Sequence, residues 1–418
     1  MRYFPSAALA AHAGFRPCLR CRPESAPNSP AWNGTSTTVQ RALKLIGDGA
    51  LNEGSLADLT TRLGIGERYL RKLFQRELGI SPQAMALNQR LLFAKKLLAE
   101  TSLPLTEVAF AAGFGSVRRF NDAVQKHFRL PPSALRSEHC VASAATSIQL
   151  QLQYRPPYDW EGVVGLFRRH AIAGVETVTD RCYQRNIRIK GAAGSIEVSP
   201  IVAKNALRLT LQLEDRSLLI PVVARVRRMF DLDANPAAIH AVLGRDRRLA
   251  PMLKQFPGIR SPGHWNLYEA AVRGIVGQQV STQAARSVIA RMAATAGNGS
   301  DSAGFPAAAA IAAFDDSQFP MPGRRRETLR SLCRHCAEQE DDLDLDTVSA
   351  LRGVGPWTTA VVAMRGGGQP DTFPIKDLGL EKAWARLEGG NTVLQDRLAS
   401  WRPWRSYAAN LLWRSLGV

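Results

Sequence analysis

The chain has 418 residues, 45% of them hydrophobic, and carries 54 Lys and Arg against 36 Asp and Glu, which gives a net charge of +18. This length and apolar content predict two to four packed domains. No run of about 18 apolar residues marks a membrane span, and six cysteines are too few for a disulfide scaffold in a chain of this size, so we expect a cytoplasmic protein.

The basic charge predicts a polyanionic partner. The first 140 residues hold 19 Lys and Arg against 10 Asp and Glu, and the remainder holds 35 against 26, so both parts are basic and one tail does not explain the total. The alternative interpretation is a charge that serves only solubility.

Residues 1–34 are proline-rich and irregular, and they contain the pair Cys18-Leu-Arg-Cys21. Two cysteines at this spacing supply half of a tetrahedral zinc site, and His12 is the only obvious further ligand nearby. The segment resembles the end of the Ada-type methyl-phosphotriester acceptor domain, which uses four cysteines. The two that would precede Cys18, including the methyl acceptor, are absent here. We therefore expect a truncated remnant with an incomplete zinc site and no methyl transfer; a degenerate domain and a true start further upstream both stay open.

Residues 37–136 contain an internal repeat of helical patterns. Each copy has a short apolar-faced helix, a glycine turn at Gly64 or Gly113, and then a basic helix, which is the helix-turn-helix pattern. The candidate DNA contacts are the outward polar residues of the two second helices: Arg68, Arg71 and Lys72 in the first copy, and Arg118, Arg119, Asn121 and Lys126 in the second. Joined by a linking helix over 84–100, the two copies resemble the AraC-type DNA-binding domain, which implies promoter DNA and RNA polymerase as partners. The alternative is a helical bundle with solvated arginines.

A polar linker over 137–147 leads to strict alternation over Ile148–Tyr154, which predicts a strand. Further strands are predicted at 186–190, 195–198 and 206–213, and Pro156–Trp160 is predicted to open a helix. We expect a small antiparallel α+β subdomain over 147–230. From 231 to 418 the pattern is helical, with helices predicted at 266–277, 282–294, 326–340, 345–351, 357–365, 378–387 and 406–416.

The stretch from Leu351 to Asp377 combines a Gly353-Val354-Gly355 hairpin, an apolar helix from Trp357 to Arg365, and a Gly/Pro-rich loop that ends at Asp377. A glycine hairpin between two helices brings backbone N–H groups close to a DNA phosphate, which gives a hold independent of base sequence. A carboxylate at a fixed distance beyond the hairpin indicates chemistry on the nucleic acid held there.

From about Leu150 onward the chain resembles the helix-hairpin-helix DNA glycosylases, and most closely the AlkA type of DNA-3-methyladenine glycosylase II. The resemblance is carried by several motifs in the same order: Tyr154–Trp160, Met229–Leu232, Leu243–Arg245, Gly274–Ser281, the hairpin, Asp377 and Arg402–Ala408. It implies that Asp377 is the catalytic aspartate, because a carboxylate stabilises the oxocarbenium charge that builds on the sugar. The alternative role of Asp377 is to cap the helix that begins at Leu378, and the two roles are compatible.

The resemblance also assigns a base pocket. Trp357 stands where bifunctional relatives have a Schiff-base lysine, so we expect base excision without strand cleavage. Trp357 and Trp413 match pocket tryptophans whose faces hold cationic bases. Three other pocket aromatics of the AlkA type are replaced here by Leu166, Val361 and Leu378.

Gln279, in the Gly277–Ser281 turn, stands where the AlkA type inserts a leucine into the gap left by the extruded base; its alternative is an ordinary surface turn residue. Catalysis is expected to need no cofactor, and the resemblance implies a monovalent cation on the hairpin carbonyls. No cysteine follows Cys336, so the four-cysteine iron–sulfur loop of some relatives is missing.

These patterns predict a mixed, mainly α chain with four parts: the Ada-type remnant (1–34), a tandem helix-turn-helix domain (37–136), the antiparallel subdomain (147–230) and an all-α helix-hairpin-helix glycosylase domain (231–418). The predicted function is monofunctional excision of alkylated bases, of the 3-methyladenine type, from duplex DNA, by a protein that is expected to be a monomer. The alternative is a transcriptional regulator of the alkylation response whose glycosylase half is inactive or secondary.

Overall fold

A computed structural model describes residues 9–10, 13, 37–52, 54–136, 147–297, 304–321, 323–337, 343–388 and 393–417. The chain forms two compact units. The first unit comprises Met1–Arg155, Asn205–Arg227 and Leu232–Asn235, and the second comprises Pro156–Lys204, Arg228–Asp231 and Pro236–Val418. The predicted class is confirmed, since the described residues are mainly helical with a small set of antiparallel strands.

The first unit begins with six helices. They are α1 (Thr37–Gly47), α2 (Leu56–Leu63), α3 (Glu67–Leu78), α4 (Pro82–Glu100), α5 (Leu105–Ala111) and α6 (Val117–Phe128). Helix α2 begins at a capping box in which Ser55 and Asp58 bond each other's backbone N–H, and it ends at Gly64, whose φ of +68° suits glycine. Gly113 takes the same conformation, with φ +76°, after α5. The predicted repeat therefore corresponds to two helix–turn–helix units, α2–α3 and α5–α6, joined by α4.

The core beneath the first of these units is aliphatic and aromatic. Leu59, Leu70 and Phe74 are almost completely buried and pack with Ala42 and Leu43 of α1. Their helical spacing places one face of each helix inward and leaves the other face to the charged residues.

Two strands of the first unit, β1 (Ile148–Gln153) and β5 (Ala206–Leu213), pair antiparallel with Leu150 opposite Leu209. Helix α4 packs beside β1. The backbone N–H of Gln151 donates to Glu100 Oε2 at 2.8 Å, and its carbonyl accepts from Lys96 Nζ. Two residues one turn apart on α4 thus satisfy both polar groups that one residue of β1 presents.

A second contact joins the same two parts of this unit. Arg216, in a short 3₁₀ turn (Arg216–Leu218) after β5, forms an ion pair with Glu107 of α5. The first unit also contains most of α8 (Leu219–Met229).

The second unit contains three further strands and most of the remaining helices. Strand β3 (Tyr183–Ile189) pairs antiparallel with both β2 (Glu176–Val178) and β4 (Ala192–Ile201). The helices are α7 (Trp160–His170), α9 (Pro236–Leu243), α10 (Leu249–Gln255), α11 (Leu267–Val276), α12 (Thr282–Ala296), α13 (Ala308–Ala312), α14 (Gly323–Cys336), α15 (Leu345–Ala350), α16 (Pro356–Arg365), α17 (Leu378–Glu388) and α18 (Arg405–Ser415). No helix among the described residues is long and apolar enough to cross a membrane.

Helix α11 lies at the centre of this unit and is buried along almost its whole length. It packs against α14 and α16. Gly274 allows the close approach of α16, because a Cβ there would already lie 3.3 Å from the side chains of Thr358 and Val362. The helix that carries Trp357 is therefore fixed directly against the core.

A charged network anchors the other side of α11. Glu269 is 1% exposed and accepts from Arg185 of β3 at 2.8 Å and from Arg273 Nε at 2.9 Å. Arg273 also donates to Glu176 of β2 at 2.8 Å. Each buried charge meets an opposite one, which is the condition under which buried ions are tolerated.

Candidate active site and DNA-binding surfaces

The Asp377 carboxylate is held by two tryptophans. Trp357 Nε1 donates to Asp377 Oδ2 at 3.0 Å, and Trp413 Nε1 donates to Asp377 Oδ1 at 3.0 Å. Trp357 lies in the first turn of α16, and Trp413 lies near the end of α18. The structure therefore brings together three residues that are 20 and 36 positions apart in the sequence. Hydrogen bonds to an ionised acceptor are among the stronger ones, so both indoles orient the carboxylate.

Asp377 also caps a helix. Its Oδ1 accepts from the Leu380 N–H at 3.0 Å, and the N-terminal end of α17 favours a negative charge there. The two roles predicted for Asp377, catalytic carboxylate and helix cap, are thus geometrically compatible. Asp377 is half-buried, it caps α17, and its two oxygens face the tryptophans.

Gly379 makes room for this arrangement. A Cβ at this position would lie 3.0 Å from Asp377 Oδ1 and 3.3 Å from Trp413 Nε1. Both distances are shorter than a comfortable contact, so a side chain would press on the bond between the carboxylate and the indole.

The Gly353-Val354-Gly355 hairpin joins α15 to α16 and is largely exposed. Gly353 has a φ of +94°, and a Cβ there would lie 2.3 Å from Thr328 Oγ1. The position thus requires glycine for two reasons: the backbone has a positive φ, and a side chain would collide with Thr328. Thr328 Oγ1 donates to the Arg352 carbonyl at 2.8 Å, which fixes the hairpin to α14.

The Gly277–Ser281 turn is tied to this hairpin by a residue that the sequence did not single out. Gln278 Nε2 lies 3.0 Å from the Gly353 carbonyl and 2.9 Å from Thr358 Oγ1. Arg325 donates to the Gln278 carbonyl at 3.0 Å. The neighbouring Gln279 is exposed at the tip, with a φ of +56° that a non-glycine residue rarely adopts. The only signal for Gln278 in the sequence was that it lies in the same short motif as Gln279.

The three aliphatic pocket positions differ in exposure. Leu166 on α7 and Val361 on α16 are half-buried, whereas Leu378, at the start of α17, is 71% exposed. Of the five predicted pocket residues, the described contacts join only the two tryptophans to Asp377. The assignment of all five to a base pocket stays a prediction.

The second helices of both helix–turn–helix units present their predicted residues to solvent. Arg68, Arg71 and Lys72 are exposed on α3, as are Arg118, Arg119, Asn121 and Lys126 on α6. Tyr69, which the sequence did not single out, is 54% exposed on α3 between the arginines. An exposed aromatic among cations suits contact with a base edge as well as with phosphates.

Cys18 and Cys21 lie outside the described residues. Within the described part of the chain, no three His, Cys, Asp or Glu side chains are grouped closely enough to hold a metal ion. Cys333 and Cys336 are both buried on α14, and Cys333 Sγ lies 3.7 Å from the Tyr268 hydroxyl.

Comparison with known proteins finds matches in three parts of the chain. Three family models match: the metal binding domain of Ada over residues 1–24, a helix-turn-helix domain over 59–138, and the AlkA N-terminal domain over 149–266. A 3-methyladenine DNA glycosylase from Archaeoglobus fulgidus superimposes with a TM-score of 0.54 at 18% identity, over 64% of this chain and 97% of that one. At this identity the likeness shows the fold, which is that of a DNA glycosylase.

Two curated relatives identify the family. The chain is 39% identical, over its whole length and 88% of the relative, to the probable bifunctional transcriptional activator/DNA repair enzyme AlkA of Mycobacterium tuberculosis. It is 30% identical to DNA-3-methyladenine glycosylase 2 of Escherichia coli, over 64% of this chain and 97% of that one. The chain therefore belongs to the AlkA family of DNA-3-methyladenine glycosylases, in the form that also carries helix-turn-helix and Ada-type segments.

Proposed function

We propose that this protein excises alkylated bases, of the 3-methyladenine type, from duplex DNA, and that its helix-turn-helix units add sequence-specific DNA binding. The observation that carries the proposal is the Asp377 carboxylate held between the indole N–H groups of Trp357 and Trp413. As part of the same proposal, the protein acts on DNA in the cytoplasm and works as a monomer.

The reaction breaks the bond between C1′ of the sugar and the base nitrogen, and the bond electrons leave with the base. Positive charge develops on C1′ and the ring oxygen, and the Asp377 carboxylate stabilises it until water adds to C1′. The two indoles hold the carboxylate in one orientation before the charge develops. Trp357 has no amine that could form a Schiff base, so the product is an abasic site in an uncut strand.

DNA is held at two further points in the second unit. The exposed Gly353–Gly355 hairpin binds a backbone phosphate through its amides, and Gln279 at the tip of its turn fills the space of the extruded base. Gln278 fixes the distance between these two points through its bonds to Gly353 and Thr358.

The hairpin carbonyls are suited to a monovalent cation. The Leu351 carbonyl accepts from the Val354 N–H at 3.0 Å and the Gly353 carbonyl accepts from Gln278, which leaves each oxygen a second lone pair. A cation bound there would add positive charge to the part of the hairpin that binds the phosphate. Zinc at Cys18 and Cys21 would need two further ligands.

The deciding experiment measures release of 3-methyladenine from alkylated duplex DNA by the wild type, Asp377→Asn and Asp180→Asn. Asp180 is the matched control, because its side chain is 91% exposed and its ion pair with Arg168 lies at the surface. We expect release by the wild type and the control and loss of release in Asp377→Asn. Equal release by all three would exclude the catalytic role of Asp377. Treatment with borohydride should trap no protein–DNA cross-link, since no Schiff base forms.

The exposed cations of α3 and α6 favour a second activity, transcriptional regulation through promoter DNA and RNA polymerase. Footprinting on the promoter region of the gene that encodes this protein tests this activity, with Arg68→Ala and Arg118→Ala as variants. Sequence-specific protection that both variants lose, together with no base release by the wild type, would favour the regulator over the enzyme.

A further inference from the structure

A buried arginine lies behind one of the two active-site tryptophans. Arg365, the last residue of α16, is only 8% exposed, and its guanidinium carbon is 5.3 Å from the ring centre of Trp413. It donates to the Pro262 carbonyl at 2.7 Å and to Asn410 Oδ1 at 2.9 Å. Asn410 precedes Trp413 by one turn of α18, so Arg365 contacts both the ring and the helix that carries it.

This contact extends to the carboxylate. A cation against an indole ring is attracted by the ring's electrons, and it makes the ring N–H a stronger donor. The N–H in question is the one that Trp413 donates to Asp377 Oδ1 at 3.0 Å. Arg365, Trp413 and Asp377 therefore form a continuous series of cation, polarised ring and anion.

We propose that Arg365 is a positioning residue for the Asp377 carboxylate and acts through the indole of Trp413. Its charge strengthens the hydrogen bond that Trp413 donates, and its bond to Asn410 fixes the helix from which Trp413 projects. This inference rests on the catalytic role of Asp377 proposed above.

The charge of Arg365 persists at neutral pH. Burial, and after it the charge of Arg169, lowers the pKa of Arg365 to about 10, and the charge of Asp377 acts against this lowering. The titratable groups that interact electrostatically with Arg365 are Arg169 and His170 on α7, His264 before α11, and Asp377. Burial and neighbouring arginines lower the pKa of His170 to about 3 and hold that of His264 well below its usual value, so both are uncharged near neutrality. Asp377 is thus the anion to which the charge of Arg365 is coupled.

The test compares Arg365→Met, Arg365→Lys and Trp413→Phe in single-turnover base release across a range of pH. Arg365→Met should reduce the rate about tenfold, which is the loss expected for a weakened bond to a charged group, and should move the acid limb of the profile to higher pH. Arg365→Lys keeps the charge and should restore the acid limb. The concentration that gives half of the maximal single-turnover rate should change little, since Arg365 is buried.

A double-mutant cycle separates this role from general support of the fold. If Arg365 acts through the Trp413 N–H, adding Arg365→Met to Trp413→Phe should produce almost no further loss. Additive losses, or an acid limb that stays in place in Arg365→Met, would overturn the proposal. Arg260→Met is the matched control: Arg260 is 2% exposed and lies 4.7 Å from the ring centre of Tyr158, and its loss should leave the acid limb unmoved.

A measurement that does not depend on activity tests the role of Arg365 separately from the proposed function. In protein with ¹⁵N-labelled tryptophan, the Trp413 indole resonance, assigned by its absence from Trp413→Phe, should shift as the pH is lowered. Its midpoint should move to higher pH in Arg365→Met and return in Arg365→Lys. If the wild type releases no base, the proposed function fails, while an unmoved midpoint still refutes the role of Arg365.

Discussion

The stability of the second unit should fall in mild acid because of a half-buried histidine that is surrounded by arginines. His170, the last residue of α7, has four arginines around it: Arg365, Arg273, Arg169 and Arg286. Burial, followed by these charges, lowers the pKa of His170 to about 3. The folded protein therefore keeps His170 neutral at pH values at which the unfolded chain protonates it.

The size of the effect follows from this difference. The unfolded histidine has a pKa of about 6.5, so the stability contributed by a neutral His170 is fully present above that pH and is lost as the pH falls toward about 3. The loss is roughly 1.4 kcal/mol per pH unit. Going from pH 7.5 to pH 5 should thus cost about 2 kcal/mol from His170 alone. His264, whose pKa is also held low by burial and by arginines, adds a loss of the same sign.

Urea unfolding monitored by tryptophan fluorescence measures this loss, because every described tryptophan lies in the second unit. The wild type, His170→Gln and the control His335→Gln, which alters an exposed histidine, would be compared at pH 7.5 and pH 5. We expect His170→Gln to lose about 2 kcal/mol less than the wild type between the two pH values. An equal loss in the wild type and His170→Gln would refute the argument.

Three further changes have defined outcomes. Glu269→Gln removes the buried carboxylate that Arg185 and Arg273 share and should lower the free energy of unfolding by about 3–5 kcal/mol in urea, whereas Glu67→Gln, in an exposed pair, should cost less than about 1 kcal/mol. Gly353→Ala should weaken binding of undamaged duplex DNA at least about tenfold, because the added methyl group collides with Thr328. The control Gly368→Ala, which has open space around it, should leave the binding unchanged, and fluorescence anisotropy measures both. Glu100→Gln should increase hydrogen exchange at the Gln151 amide, and unchanged exchange would show that this bond does not persist in solution.

Elements with a strong local pattern could be predicted from the sequence. The strand over 206–213 and the helix that ends at Arg365 match their predicted limits closely, because alternation and an apolar face are properties of neighbouring residues. The three-residue strand at Glu176–Val178 and the five-residue helix at Ala308–Ala312 were missed. Elements this short contain only about one and a half periods of their pattern, which is too few to distinguish the pattern from chance.

The site was predictable as a set of residues but not as a set of contacts. Asp377 and the two tryptophans followed from motif order and family resemblance. That both indole N–H groups point at the carboxylate depends on side-chain directions in three separate helices or their caps. The bond between Gln278 and Gly353 joins residues 75 positions apart, and the bond between Arg185 and Glu269 joins residues 84 apart. Local periodicity carries no information about such pairs.

The bonds that Lys96 and Glu100 make to Gln151 bear on how the helix-turn-helix domain is attached. In an antiparallel strand the N–H and C=O of one residue point to the same side, so a single position on β1 offers one donor and one acceptor together. The Glu100 carboxylate accepts from the Gln151 N–H, and the Lys96 ammonium donates to the Gln151 carbonyl, so the two groups are bonded by side chains of opposite charge. An unpaired strand edge is a site for unwanted pairing with another chain, and charged side chains are a common means of blocking it. The linking helix α4 therefore has two roles: it spaces the two helix–turn–helix units, and it covers the edge of β1. Removing the helix-turn-helix domain should expose that edge, so it is an integral part of the first unit rather than a separable addition to it.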